Sequence, residues 1–470
     1  MTIHNATARR LRVGLILFGT VLVAGCANPL SGIFGGGKDD KVGSENAPGE
    51  DDRISILALD EQLKADPRYA GISVEVPPSY VNVSWPQPGG EADHTLHHIA
   101  ATLELEADWR SKVGDASARE KLTSPPIVVA DRIYVIDAET TVSAFNAEDG
   151  EVIWRKELAP EIKERFRMRD FLRKPTPSEI GFGGGVAFDN GKLFVTSGFG
   201  FAAALDAISG EELWRVETSA AIRTPPTAYR GKVYFATNIN EFFALNQETG
   251  NQDWTFQSFE ENARFLSSAS PAAAGDLVVA PFSSGEIVAF LADSGRVLWN
   301  ETLAQQARLT ALASLNDIAG SPVIDRGLVY VVSHGGQFAA IDIRSGQRVW
   351  DASITSLQTP WVAGDFIYVV TVDAELVCLS RNDGGIIWVT ELQRYEKEKK
   401  KKKRITWVGP VLAGDNLILV SSTGELAKVD PVTGNLSETK NIKQQTSISP
   451  IVANEKVYIL SEDGRLSALR

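Results

Sequence analysis

One pattern recurs along most of this chain and restricts it to a repeat architecture: Ala, a spacer, Asp or Asn, then Gly four residues on, then Trp four residues later. It reads Ala144, Asn146, Gly150, Trp154; Ala204, Asp206, Gly210, Trp214; and Ala244, Asn246, Gly250, Trp254. With Leu291 at the Asx place it returns as Ala289, Gly295, Trp299, and then intact as Ala340, Asp342, Gly346, Trp350. Two altered copies follow, Cys378, Ser380, Gly384, Trp388 and Lys428, Asp430, Gly434, Glu438, the second with an acid where Trp belongs. The Asx side chain can accept backbone N–H groups of the turn after it, and the small residue two before it leaves room for an indole on the neighbouring strand.

The copy from Ser321 to Trp350 shows what the repeat encodes. Val323-Ile324, Leu328 to Ser333, Gln337 to Asp342 and Gln347 to Trp350 read as four strands, separated by turns at Asp325-Arg326-Gly327, His334-Gly335-Gly336 and Ile343 to Gly346. A sheet so short, apolar on both faces, needs the next copy on each side, and radial stacking into a closed ring provides it. Copies begin near Thr123, Gly181, Thr224, Ser270, Ser321, Thr359, Trp407 and Ser449. The expected fold is therefore all-β, an eight-bladed β-propeller of four-stranded antiparallel blades over residues 102–470. The last copy stops at Arg470 without a fourth strand, whereas Leu103 to Val113 alternates like one and carries Trp109-Arg110. That stretch is expected to complete the last blade and clasp the chain ends together, with Trp109 joining Trp154, Trp214, Trp254, Trp299, Trp350 and Trp388 as blade-closing residues.

Ahead of the ring, Arg9, Arg10 and Arg12 precede an apolar run from Val13 to Val23, too short to span a bilayer and laid out like a secretory signal. It ends in Val23-Ala24-Gly25-Cys26, which resembles the bacterial lipobox; residues 1–25 would be removed and the Cys26 thiol would carry lipid. Ala27, in place of Asp, implies the outer membrane by resemblance to lipoprotein sorting rules. Residues 26–52 are rich in Gly, Ser, Pro and charge and read as a disordered tether, and residues 53–101, with Val76-Pro77-Pro78 and Trp85 to Gly90, as an extended segment. The formal charge is −13, and loss of the signal removes arginines but no acid, which argues against nucleic acid as a partner. Besides Cys26 only Cys378 remains, so no disulfide framework exists.

The inventory for chemistry is thin. His94, His97 and His98 lack ligand spacing on a defined element, and Gly181 to Gly185 is followed by no phosphate-binding helix, so it reads as a flexible entry to the second blade. Two inserts stand apart: Glu161 to Lys174, patterned as a basic amphipathic helix, and Lys397 to Arg404, KEKKKKKR, a basic loop that suits solvent, acidic headgroups or an acidic protein.

The Trp repeats, over about Leu103 to Arg470, resemble those of quinoprotein dehydrogenases and of their non-enzymatic relatives. With the lipobox and a single propeller, the chain is similar to the lipoprotein subunits of the machinery that inserts β-barrels into the outer membrane. The enzymes of that wider family carry adjacent cysteines over the quinone; this sequence has none, and no catalytic or metal residue can be assigned. The resemblance implies a non-catalytic scaffold without a cofactor, lipid-anchored on the periplasmic face, that binds periplasmic domains of the barrel-inserting subunit. A quinoprotein dehydrogenase and a cell-wall or polysaccharide-binding propeller remain the alternative classes. By the same resemblance two inter-blade loops meet the partner: Arg264, Phe265 and Leu266 in one, and Leu315, Asp317 and Ile318 in the other, where an acid between exposed apolar residues suits an interface. Lys399 to Lys403 is expected to matter less, lying elsewhere on the ring.

Replacing Cys26 with Ser should abolish lipoprotein processing and release any exported chain from the membrane. Unchanged mass and membrane attachment in that variant would rule the anchor out.

Overall fold

The computed structural model describes residues 62–114, 122, 124–160, 183–259, 269–303 and 317–470. The proposed signal, Cys26, the tether and the Glu161 to Lys174 insert lie outside them. Eight four-stranded antiparallel sheets follow one another along the chain. Blade 1 consists of Ile127–Val129, Arg132–Ile136, Thr141–Asn146 and Val152–Glu157; blades 2 to 7 span 184–217, 227–257, 272–302, 323–352, 361–391 and 407–441. Blade 8 takes Ile451–Ala453, Lys456–Leu460 and Arg465–Leu469 from the end of the chain and its fourth strand, Ala107–Lys112, from the beginning. The closing ladder is a little shorter than the 103–113 stretch read from sequence, because residues 103 and 104 meet blade 7 first, where their carbonyls accept from Lys428 and Lys440, and Glu106 already exchanges backbone bonds with Arg470 of blade 8.

The second and third strands of each blade are buried on both faces, as their continuous Val, Ile, Phe and Ala runs require. In the fourth strands burial centres on the tryptophan. Each Trp sits opposite its small residue, Ala144 with Trp154, Ala340 with Trp350, Cys378 with Trp388, and a bulge follows in the ladder. Ring closure repeats the pairing, Trp109 opposite Ala468.

The indole then leaves its own sheet. Trp154 lies where a Cβ on Gly210 would be, Trp214 likewise against Gly250, Trp299 against Gly346, and Trp109 against Gly150 across the closure. These glycines also have positive φ, 75° at Gly150 and 71° at Gly346, so any side chain there is both strained and blocked. Every one of the seven indole N–H groups donates to the carbonyl three residues before the glycine it covers, from Trp109 to Ala147 at 3.2 Å through Trp299 to Ile343 at 2.8 Å to Trp388 to Pro431 at 3.2 Å. The Asx side chain braces that turn from within: Asp342 Oδ1 accepts from the Arg344 and Ser345 N–H groups at 3.1 and 2.8 Å.

An unrepeated stretch organises the centre. Residues 82–102 make one complete circuit inside the ring, bonding to the innermost strand of the blades in turn. Asn82 holds Val452 and Asn454 of blade 8, Trp85 exchanges two backbone bonds with Val128 of blade 1, and the Pro86 carbonyl accepts from Phe188 of blade 2. Gln87 Oε1 accepts from Ala228 of blade 3, and the Ala92 and Asp93 carbonyls accept from Ala273 and Ile324 of blades 4 and 5. The His97 carbonyl takes the Trp361 indole of blade 6 at 2.6 Å, Ile99 pairs with blade 7, and Thr102 reaches blade 8 again at Glu455. Val128, Phe188, Ala228, Ala273 and Ile324 each stand one residue before the end of their strand, so the belt satisfies the same inner-edge N–H in five successive blades.

Trp299 is buried whereas Trp109 is partly open. Trp299→Ala should cost about 3–5 kcal/mol and Trp109→Ala less, read as the shift of the urea midpoint; an equal loss would mean that closure is more than one clasp among seven.

Candidate functional site

Because strands alternate in direction, the turns joining first to second and third to fourth strands lie at one end of the ring. The second-to-third turns and all connections between blades lie at the other. The belt lies at the first end, where Gly364 and Gly414, in first-to-second turns, touch Pro77 and Ala101. Towards the loop end a cavity of about 480 Å³ remains in the channel, walled by Trp85, His94, Leu122, Trp361 and the prolines that open the first strands, among them Pro125, Pro360 and Pro450. Trp85 and Trp361 stack with centroids 6.4 Å apart.

His94 is fully enclosed in this wall. Its Nδ1 donates to the Pro322 carbonyl at 2.7 Å, leaving Nε2 as the acceptor facing the Ser270 hydroxyl at 3.4 Å. Burial pushes its pKa down to about 4, so it is neutral at physiological pH and a weak base. His98 Nδ1 meets the Pro77 carbonyl at 2.7 Å while its Nε2 accepts from the Asp415 N–H at 3.3 Å, and His97 Nε2 lies 3.9 Å from Asp325. The three histidines are thus spread along the belt, and among the described residues no three His, Cys, Asp or Glu side chains are placed to share an ion.

Two of the expected partner residues are placed differently from the sequence reading. Asp317 and Ile318, taken as exposed, are only 5% and 2% accessible. Ile318 fills the gap between blades 4 and 5 with Ile287, Trp299, Ile324 and Val329, so the aliphatic in that pattern is core. The Asp317 carbonyl accepts from His334 N–H at 3.1 Å and ties the loop base to blade 5. Leu315, Arg264, Phe265 and Leu266 lie outside the described residues.

The glycine-rich entry to blade 2 also differs. Gly184 and Gly185 are not a flexible approach but the start of the first strand; a Cβ on Gly184 would meet the Thr196 carbonyl at 2.0 Å, and one on Gly185 would meet Pro225 at 2.7 Å. Cys378 is buried against Trp388 as a small core residue, and burial raises its thiol pKa. The lysine-rich insert joins blade 6 to blade 7 and therefore stands at the loop end.

Eight blades, with seven of the gaps between them closed by indole-to-glycine clasps, define an eight-bladed propeller with PQQ-like repeats. The matching family model, described as outer membrane protein assembly factor BamB, covers residues 104–174, 138–390 and 392–470, and the chain belongs to that family. An uncharacterized protein of Rickettsia prowazekii is 26% identical over 302 residues, 64% of this chain and 69% of that one. Outer membrane protein assembly factor BamB of Shewanella oneidensis is 23% identical over 342 residues, 73% and 82% of the two chains. Among solved structures, BamB from Moraxella catarrhalis superposes with a TM-score of 0.58 at 20% identity, over 77% of this chain and 97% of that one. A europium-containing methanol dehydrogenase reaches 0.61 at 15% identity, over 80% and 89%, which is likeness of fold alone.

The His94 environment yields a signed pH effect. Its pKa is about 4 when folded and 6.5 when not, so the unfolded chain alone takes up a proton between those values. Its contribution is fully present above pH 6.5 and falls on acidification towards 4, by on the order of 3 kcal/mol. His94→Asn, whose amide can still donate to Pro322, should lose less thermal stability than the parent between pH 7.5 and 4.5; equal losses would show that other groups govern acid unfolding.

Proposed function

We propose that this chain is a non-catalytic scaffold subunit of the outer-membrane β-barrel assembly machinery, held at the periplasmic face by lipid on Cys26. The observation that carries this reading is the family match across all eight blades, from residue 104 to residue 470. Several relatives bear the name outer membrane protein assembly factor. A ring whose second and third strands are spent on blade packing, and whose inner edge is covered by its own belt, offers its inter-blade loops for recognition. The proposed partner is a periplasmic domain of the barrel-inserting, BamA-like subunit.

Arg264, Phe265, Leu266 and Leu315 are the proposed contact residues, with Asp317 and Ile318 supporting the second loop from the core rather than meeting the partner directly. Removing an aromatic anchor or one member of a desolvated charge pair costs about 2–5 kcal/mol of binding, against far less for a rim charge. Phe265→Ala and Arg264→Ala should therefore reduce recovery of the barrel-inserting subunit in affinity purification from detergent-solubilised envelopes at unchanged thermal stability. Asp317→Ala should lower stability first. Recovery of no assembly subunit by the parent chain would overturn the scaffold reading, and normal recovery by both loop variants would move the contact elsewhere on the ring.

A further inference from the structure

The lysine-rich insert is used neither by the ring nor by the proposed partner contact. Tyr395–Lys397 and Lys402–Arg404 form a two-stranded hairpin with Lys397 opposite Lys402, and Glu398–Lys400 and Lys401 make its tip. Its base is fixed. Arg394 and Arg404 both pair with Asp373 in the second-to-third turn of blade 6, Arg404 also bonds the Val372 carbonyl, and the Trp407 indole donates to Gln393 at 2.9 Å. The Glu398 carboxylate accepts from the Arg394 and Tyr395 N–H groups at 3.1 and 2.9 Å, which stiffens the ribbon from inside.

Of the lysines, only Lys403 has an ion-pair partner among the described residues, Glu396 of the same hairpin at 2.6 Å. Lys397, Lys399, Lys400, Lys401 and Lys402 are exposed. On a chain with net charge −13, lysines needing only neutralisation would find carboxylates on their own surface. The arginine anchors hold these away from it.

We propose that this hairpin docks on an anionic phospholipid headgroup surface, its lysine ammonium groups meeting lipid phosphates. Its geometry favours a lipid layer over an acidic protein face. Lys397 and Lys402 stand opposite each other on the ribbon and Lys399 to Lys401 make its tip, so the five lysines without an ion-pair partner among the described residues gather at the projecting end. A headgroup layer into which the tip sinks meets all five at once. No apolar side chain lies between Lys397 and Arg404, so the contact stays at headgroup depth. The free cations are all lysines, compact charges suited to phosphates, while Arg394 and Arg404 are committed to Asp373. Basic clusters of about four to eight residues suffice for such binding. The inference does not rest on the assembly role, since its test contains lipid alone.

The compact unit begins at Gln62, so a chain starting at Ala27 keeps it whole and lacks the apolar run Val13 to Val23. This chain is to be sedimented with phosphatidylcholine vesicles with or without about one-third phosphatidylglycerol. Binding to the anionic vesicles alone is expected, lost at high salt and reduced at least about tenfold in K397Q/K399Q/K400Q/K401Q/K402Q. Thermal stability should be unchanged. Equal binding by that variant, or no binding of the parent to anionic vesicles at low salt, would overturn the proposal. Retention on immobilised polyglutamate without vesicle binding would overturn it too, reassigning the hairpin to an acidic protein.

Discussion

The structure depends on one contact repeated around the ring: an indole from the fourth strand of one blade laid on a glycine in the last turn of the next. Three requirements converge on it. The indole needs a small residue opposite it in its own sheet, an open glycine in the neighbouring sheet, and a carbonyl for its N–H, and the same turn supplies the last two. Because a buried N–H without a partner costs about 1–3 kcal/mol, the hydrogen bond fixes how far the blades can slide as well as how tightly they pack. The Asx side chain stiffens the turn, so the glycine and carbonyl keep their places. The conserved-looking spacing within the chain is thus a distance between two parts of different blades.

The altered seventh copy follows from the same geometry. Glu438 sits opposite Lys428 in the ladder where Trp and Ala sit elsewhere. The next blade has no turn between its third and fourth strands, because Arg465–Leu469 and Ala107–Lys112 come from distant parts of the chain, so no glycine and no turn carbonyl await an indole. Lys428 instead pairs with Glu438 at 2.8 Å and reaches the Leu103 carbonyl, while Lys440 bonds the Glu104 carbonyl at 3.2 Å. At this gap flexible charged side chains replace a rigid aromatic wedge.

The blades, their number and the closing strand were legible in the sequence because each blade writes the same local requirement. The belt was not. Trp85 to Gly90 announced only a proline-rich extended run, and its bonds to the blades are mostly backbone carbonyls that leave no residue signature. Gln87, the one belt side chain that substitutes for such a carbonyl, follows from the turn it makes with Gly90, which carries the backbone away from blade 3. Asp317 and Ile318 were misread for a related reason: an apolar residue in an irregular stretch looks the same whether it faces a partner or plugs the gap between two blades. The lysine run was visible at once, but its rigidity comes from Asp373, on a turn about thirty residues away in sequence, and no local pattern contains that.

The belt also explains why the two ends of the ring are not equivalent. It enters across blade 6, where the Asp66 N–H meets the Ile386 carbonyl and Tyr69 bonds Asp383, makes its circuit, and leaves between blades 7 and 8 to become the strand that closes the ring. It is therefore held at both ends by the blades it connects, and opening blade 8 would release its downstream tether. Covering the inner edges at the turn end leaves the remaining channel volume, the inter-blade connections and the basic hairpin at the loop end. Recognition can vary there without touching the clasps, since loop length and charge change no residue that an indole, its glycine or its carbonyl requires.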